Sequence, residues 1–172
     1  MFLCMSLNPA IDKLVRLQHP NRGHVNRAME ATEAPGGKAA NVAMVLRTLG
    51  ADPLWMGFTG GRTGSALVEG LQELSIRVEA VPTASATRMN MEILENEGGV
   101  TEILEPGGAS KAEELRTLEE AYKSTLRKSA GKMTVILSGS LPPGVPEDYY
   151  RPLIELGHQF GVACLGTPAV NH

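Results

Sequence analysis

The sequence predicts a three-layer α/β core carrying a small antiparallel flap. Short apolar, strand-like runs alternate with helical stretches along the 172 residues, the pattern of a parallel sheet with crossover helices. Segments near 12–17, 24–32 and 86–105 break that pattern, because polar residues there alternate with single apolar ones, as in strands with one face in solvent. A third observation concerns a turn. In Pro35-Gly36-Gly37-Lys38-Ala39-Ala40-Asn41-Val42-Ala43 two glycines stand directly ahead of a helical stretch, where a backbone without Cβ atoms can approach a ligand closely.

Taken in order, Phe2-Leu3-Cys4-Met5-Ser6-Leu7 reads as a buried strand. After Asn8-Pro9 come the two alternating stretches 12–17 and 24–32, separated by the turn-rich His19-Pro20-Asn21-Arg22-Gly23; they suit a flap better than a core layer. Residues 41–49 read as a helix ending at Gly50. Residues 53–59 form an apolar strand, and Gly60-Gly61-Arg62-Thr63-Gly64 leads into a helix with Ala66, Leu67, Leu71 and Leu74 on one face. Residues 76–81 are strand-like, and 86–94 and 100–105 make a hairpin about Asn96-Glu97-Gly98-Gly99. Ser110 and Glu113 form a capping box for a helix with Leu115, Leu118, Tyr122 and Leu126 on one face and Glu119–Lys123 as a supporting pair. Met133 to Leu137 is an apolar strand. A helix from about Pro146, which Pro152 threatens to kink, precedes a last strand over 161–165.

Composition narrows the function classes. The length suits one domain. A net charge of −3 offers no basic face for nucleic acid. No apolar run is long enough to span a bilayer, and Met1-Phe2-Leu3-Cys4-Met5 lacks the charged region of a signal peptide. Cys4 and Cys164 stand far apart and read as buried thiols of a reducing compartment, so a cytoplasmic location is expected. His19, His24, His158 and His172 show no metal-ligand spacing. Neither a G-x-G-x-x-G after a strand nor a Walker A motif is present, which argues against a dehydrogenase or a P-loop ATPase.

Several residues have the chemistry of a site for a hydroxylated, anionic ligand. The Gly36-Gly37 turn offers helix N-terminal N–H groups and a positive dipole end, although many such turns only connect a strand to a helix. Lys38 adds a mobile charge, and Asn41 can donate and accept. Asp12 can accept two hydroxyls; a lone aspartate in such a place is more often simply solvated. The planar fork of Arg88 suits a phosphate, yet would equally serve on an edge-strand surface. Asn90, two residues on, shares a strand face with Arg88. Ser138-Gly139 ends a strand where open α/β sheets bind ligands, or is a plain strand-to-loop turn. Lys111, Lys123, Arg127 and Lys128 read as a solvated helix face.

The set as a whole goes further. Asn8-Pro9-Ala10-Ile11-Asp12, the Gly36-Gly37 turn with Asn41, Gly50 and Gly60, Thr87-Arg88-Met89-Asn90, Thr101-Glu102 ahead of Glu105-Pro106-Gly107, and Ser138-Gly139-Ser140-Leu141-Pro142-Pro143-Gly144-Val145 come in an order and spacing that resembles the PfkB group of ribokinase-like sugar kinases. The likeness runs from about Leu7 to about Cys164. It is closest to the branch acting on sugar phosphates: 1-phosphofructokinase, tagatose-6-phosphate kinase and the minor 6-phosphofructokinase. The resemblance implies a ribokinase-like α/β/α core with a β lid formed by segments about 12–32 and 86–105. It also implies ATP-dependent phosphorylation of a ketohexose phosphate, with ATP and Mg2+ as cofactors. Asp12 matches the family's hydroxyl binder, and Gly36, Gly37 and Asn41 its sugar-binding turn. Lys38 and Arg88 would hold the phosphate that the substrate already carries. Asn90, Ser138 and Gly139 join the substrate side, and Glu105 the nucleotide or metal side. Lys38 and Arg88 disfavour a nucleoside kinase of the same fold. Family members of this branch commonly pair through their flap strands, so a homodimer using Leu14, Val25, Met29, Met91 and Ile93 is expected.

The sequence also departs from that pattern. Family members are close to twice as long, and their second half holds a Gly-x-Gly-Asp motif that supplies the catalytic base, together with most of the ATP pocket. No Gly-x-Gly-Asp occurs here. Gly166 stands where an aspartate is usual, followed by Thr167-Pro168-Ala169-Val170-Asn171-His172. Ala39 replaces a frequent glycine and Met44 a frequent arginine. The expectation is one incomplete domain over 1–172, holding the sugar side of the site, no catalytic residue and no ATP-binding half, and inactive by itself. The alternative is a non-catalytic, truncated relative that binds sugar phosphate or only oligomerises.

Overall fold

A computed structural model describes residues 1–96 and 98–166. Glu97 of the expected hairpin turn and the stretch 167–172 lie outside the described residues. In chain order the elements are β1 (Phe2–Ser6), β2 (Ala10–Leu17), β3 (Glu30–Gly36), α1 (Lys38–Thr48), β4 (Pro53–Thr59), α2 (Gly61–Glu73), β5 (Arg77–Pro82), β6 (Arg88–Glu95), β7 (Val100–Leu104), α3 (Ala112–Ser129), β8 (Thr134–Leu137), α4 (Tyr150–Gln159) and β9 (Ala163–Gly166).

Strand β1 is the middle of a five-stranded parallel sheet of order β5-β4-β1-β8-β9. Its side chains alternate between the two faces, as strand geometry requires. Leu3 and Met5 enter one buried cluster with Leu118, Tyr122 and Leu126 of α3 and Leu153 of α4. Cys4 enters the other with Ala39, Ala40 and Ala43 of α1, Leu67 and Leu71 of α2, and Trp55. Helices therefore cover both faces, the three-layer arrangement the alternation predicts, and strands buried on both sides read as near-continuous apolar runs. The Cys4 thiol is fully buried, and burial pushes its pKa up to about 12. No helix among the described residues is long and apolar enough to cross a membrane.

A second sheet of order β3-β2-β6-β7 stands beside the first. It is not wholly antiparallel as expected. Hairpins β2–β3 and β6–β7 are antiparallel, but they join through a parallel pair, β2–β6. The reason is topological: β2 follows β1 and β6 follows β5, so both leave the same end of the parallel sheet and run in the same direction.

Several boundaries differ from the sequence reading. The strand expected over 24–32 begins only at Glu30 and continues to Gly36. Before it, the Asn26 side chain closes a loop on itself, accepting from Asn21 N–H at 2.6 Å and donating to the Asn21 and His24 carbonyls at 3.1 Å, so local side-chain bonds displace a ladder. Helix α1 starts three residues earlier than expected, at Lys38, with Gly37 as its N-cap at φ 86°. On α2 the buried face is Gly64, Leu67 and Leu71, while Ala66 and Leu74 are exposed. The cap of α3 lies one residue on from the expected Ser110 and Glu113. The Glu114 carboxylate accepts the N–H groups of Lys111 and Ala84, each at 2.7 Å, whereas Ser110 N–H goes to the Pro143 carbonyl. Pro152 does not kink α4, because the helix begins at Tyr150 and first-turn residues have no intrahelical acceptor to lose.

Candidate functional site

Leu7-Asn8-Pro9 carries the chain from the end of β1 into β2. This link, the turn after β7, the loop after β8 and the start of α1 border an open cleft of about 700 Å³, roofed by one face of the second sheet. In the ladder Asp12 stands opposite Asn90, and Asn90 opposite Leu104, so these side chains share a face. Arg88, Glu92 and Glu102 also lie on it.

The Asn90 side-chain amide donates to Asp12 Oδ1 at 2.9 Å. A carboxylate can only accept, so this bond fixes which way the amide points. Asn90 is buried, and its Oδ1, itself shut off from solvent, has no partner among the described residues. Gly36 is behind Asp12. A Cβ at Gly36 would overlap the Asp12 carboxylate, so glycine here lets the carboxylate lie flat against β3.

Arg88 begins β6 beneath the same face. Its Nη1 donates to the Glu105 carbonyl at 2.7 Å and its Nη2 to Ser140 Oγ at 3.4 Å, while Nε is buried without a partner among the described residues. Burial draws the guanidinium pKa down from its ordinary value, and the charges of Asp12 and Glu105 oppose that shift. An arginine remains a cation under such an influence. Lys38 and Asn41, both exposed, come from the first turn of α1 and line the cleft with Gly37. Orphan N–H groups and the positive end of the helix dipole add to the Lys38 charge there.

The cleft thus gathers Asp12, Gly37, Lys38, Asn41, Arg88, Asn90, Glu105 and Gly139. Two expected residues stand elsewhere. Gly36 supports Asp12 from behind, and Ser138 is buried, its N–H donating to the Met5 carbonyl at 3.2 Å. Ser140 takes the lining position instead. The Glu105 carboxylate accepts the Met89 N–H at 2.8 Å, a use the sequence did not indicate. Among the described residues no three His, Cys, Asp or Glu side chains are grouped to hold a metal ion. The sequence reading missed Asn8 and Ser140 as site residues. The available signals were a buried-type amide next to a proline at a strand end, and a second serine in Ser138-Gly139-Ser140. Chemically, the arrangement offers an acceptor pair and amides for hydroxyls, and two cations with a helix N-terminus for an anion.

Residues 5–170 match the pfkB family of carbohydrate kinases. Similar solved structures include a possible 1-phosphofructokinase from Thermotoga maritima, with 32% identity, a TM-score of 0.88, and coverage of 96% of this chain and 52% of that one. Phosphofructokinase-2 from Escherichia coli in complex with fructose-6-phosphate is similar at 26% identity and TM-score 0.87, covering 96% and 54%. Its tetrameric inhibited form is similar at 28% and 0.87, covering 96% and 53%. The chain spans about half the length of the structures it matches.

We predict that Gly36→Ala forces the Asp12 carboxylate away from β3, lowering stability by about 1–3 kcal/mol and disturbing the Asn90 amide. Urea unfolding and the Asn90 side-chain resonances measure both. An unchanged midpoint with unchanged resonances would mean that the carboxylate does not rest against Gly36.

Proposed function

The chain belongs to the pfkB family of carbohydrate kinases, and on that premise we propose that its cleft is the sugar-phosphate side of a kinase transferring a phosphoryl group from ATP to a hydroxyl of a ketohexose phosphate. The observation that carries this reading is the face shared by Asp12, Asn90 and Arg88, where a hydroxyl-binding pair and a phosphate-binding cation stand on adjoining strands. Asp12 accepts from sugar hydroxyls, with Asn90 holding its carboxylate. Asn41 and the backbone at Gly36-Gly37 hold other hydroxyls. Arg88 and Lys38 take the phosphate already on the sugar, which is why a phosphorylated ketohexose such as a fructose or tagatose phosphate fits better than a plain sugar or a nucleoside. Gly139 closes the floor, its carbonyl held by the Tyr150 hydroxyl at 3.1 Å, and Ser138 supports it.

In this reading ATP, with Mg2+, supplies the phosphoryl group when bound; only the resemblance puts Glu105 on that side, since its carboxylate here accepts the Met89 N–H. Transfer needs a base within hydrogen-bond reach of the attacking hydroxyl and donors to offset charge on the moving group. By the resemblance Asp12 binds non-reacting hydroxyls, and no Gly-x-Gly-Asp is present to supply a base, so in this reading the 172 residues by themselves hold substrate and do not turn it over. A cytoplasmic setting and a homodimer paired through the second sheet belong to the same reading. Exposed apolar residues on and beside that sheet, Val25, Met29, Val100, Ile103 and Leu104, support the pairing, as does the tetrameric form of the similar Escherichia coli protein.

Three measurements test this. A charge-assisted contact to phosphate is worth roughly 1.5–3 kcal/mol, so Arg88→Ala is predicted to weaken fructose phosphate binding about tenfold or more; equal affinity of the unaltered chain for fructose and its phosphates, by calorimetry, would refute the assignment. In a coupled ADP-release assay we predict no useful turnover of fructose 1-phosphate, fructose 6-phosphate or tagatose 6-phosphate; robust turnover abolished by Asp12→Ala would move the chemistry into this chain. Light scattering is predicted to show a dimer or larger assembly, and a monodisperse monomer at high concentration would count against pairing.

A further inference from the structure

Asn8 stands where three loops meet, 6% exposed. Its Nδ2 donates to the Pro106 carbonyl at 3.0 Å and to Ser140 Oγ at 3.1 Å. The carbonyl can only accept, so the amide cannot be turned over without losing that bond. On the other side Oδ1 lies against Gly107, where a Cβ would overlap it. One side chain thus ties the link out of β1 to the turn after β7 and to the loop after β8.

The same two loops also hold Arg88. Its Nη1 rests on the Glu105 carbonyl, one residue before Pro106, and its Nη2 on Ser140 Oγ. The Ser140 oxygen therefore receives two donors, Asn8 Nδ2 and Arg88 Nη2. Ser140, which lines the cleft, thereby couples Asn8 to Arg88 through one oxygen. An anion there meets a guanidinium of fixed pose, so less freedom is lost on binding.

We propose that Asn8 is a positioning residue for phosphate recognition: through Ser140 and the 105–107 turn it fixes the Arg88 fork, and so sets the preference for phosphorylated over plain sugars. This rests on the sugar-phosphate reading of the cleft, and the test separates the two.

Asn8→Asp keeps the shape and removes the donor, placing a carboxylate against the Pro106 carbonyl and taking from Ser140 Oγ the bond that ties it to the link out of β1. Calorimetry on the 172-residue chain, with fructose, fructose 1-phosphate and fructose 6-phosphate as probes, compares it with the unaltered chain, Ser140→Ala and Arg88→Ala. Expected is a loss of about fivefold or more in affinity for whichever phosphate binds, with fructose affinity held within about twofold. Ser140→Ala, which leaves Asn8 its bond to Pro106, reproduces part of that loss if Asn8→Asp fails to fold. Equal losses for fructose and its phosphate would show a merely structural role and overturn the inference, as would an Asn8→Asp variant or, where that does not fold, a Ser140→Ala variant with unaltered preference while Arg88→Ala abolishes it. If the unaltered chain shows no preference for phosphate, both the inference and the reading beneath it fall.

Discussion

Three residues, Leu7-Asn8-Pro9, join the central strand of the core to the first strand of the second sheet, and the site depends on how short that link is. β1 is buried on both faces and paired on both edges, so its end is held by the whole core. A link of three residues leaves β2 little freedom of direction. Pro9 narrows it further by fixing its own φ. Asp12 comes two residues into β2, close enough to the anchor that its place is set by the core and not by the tip of a loop.

The remaining side chains take their positions from that strand. β6 pairs with β2 in parallel and brings Asn90 opposite Asp12; β3 pairs on the other side, and its Gly36, opposite Ala10, lies against the Asp12 carboxylate. The second sheet is fastened to the core by Ile11 and Met89 packing with Leu67 and Leu71 of α2. Burial of such apolar area contributes roughly 25 cal/mol per Å². The ion pairs further out, Lys13–Glu33 and Arg16–Glu30, are exposed and of the kind that adds little. The end of the sheet nearest the core is therefore the firm end, and it is the end that carries the polar side chains of the cleft.

Polar groups in the cleft are held in place by bonds within the protein. Asn90 gives its amide to Asp12, and Arg88 is held through both terminal nitrogens by oxygens of two loops. Donors and acceptors fixed in advance on strands and tight turns need little reorganisation to meet a ligand. Glu105 shows the limit of assigning a role by residue type alone, because its carboxylate caps the Met89 N–H and so shapes the start of β6.

Much of the fold was legible in the sequence because it follows from periodicity. Residues 53–59 form the continuous apolar run of a strand buried on both faces, Leu118, Tyr122 and Leu126 recur at helical spacing, and the Gly36-Gly37 turn marks a strand-to-helix connection; each is a local property of the chain. The family motifs, from Asp12 to Ser138-Gly139, were legible for a different reason, as a set of residues in a fixed order. What the sequence by itself could not determine were the features set by partners distant along the chain. The parallel pairing of β2 with β6 depends on both strands leaving the same end of the core sheet. The late start of β3 depends on competition between the Asn26 side chain and the ladder. The burial of Ser138, the lining position of Ser140 and the bridging place of Asn8 depend on contacts about 98 and 132 residues away in the chain. Alternation and spacing report which face of an element is apolar; only the tertiary structure decides what that element meets, because a hydrogen bond is a matter of distance in space and carries no period in the sequence.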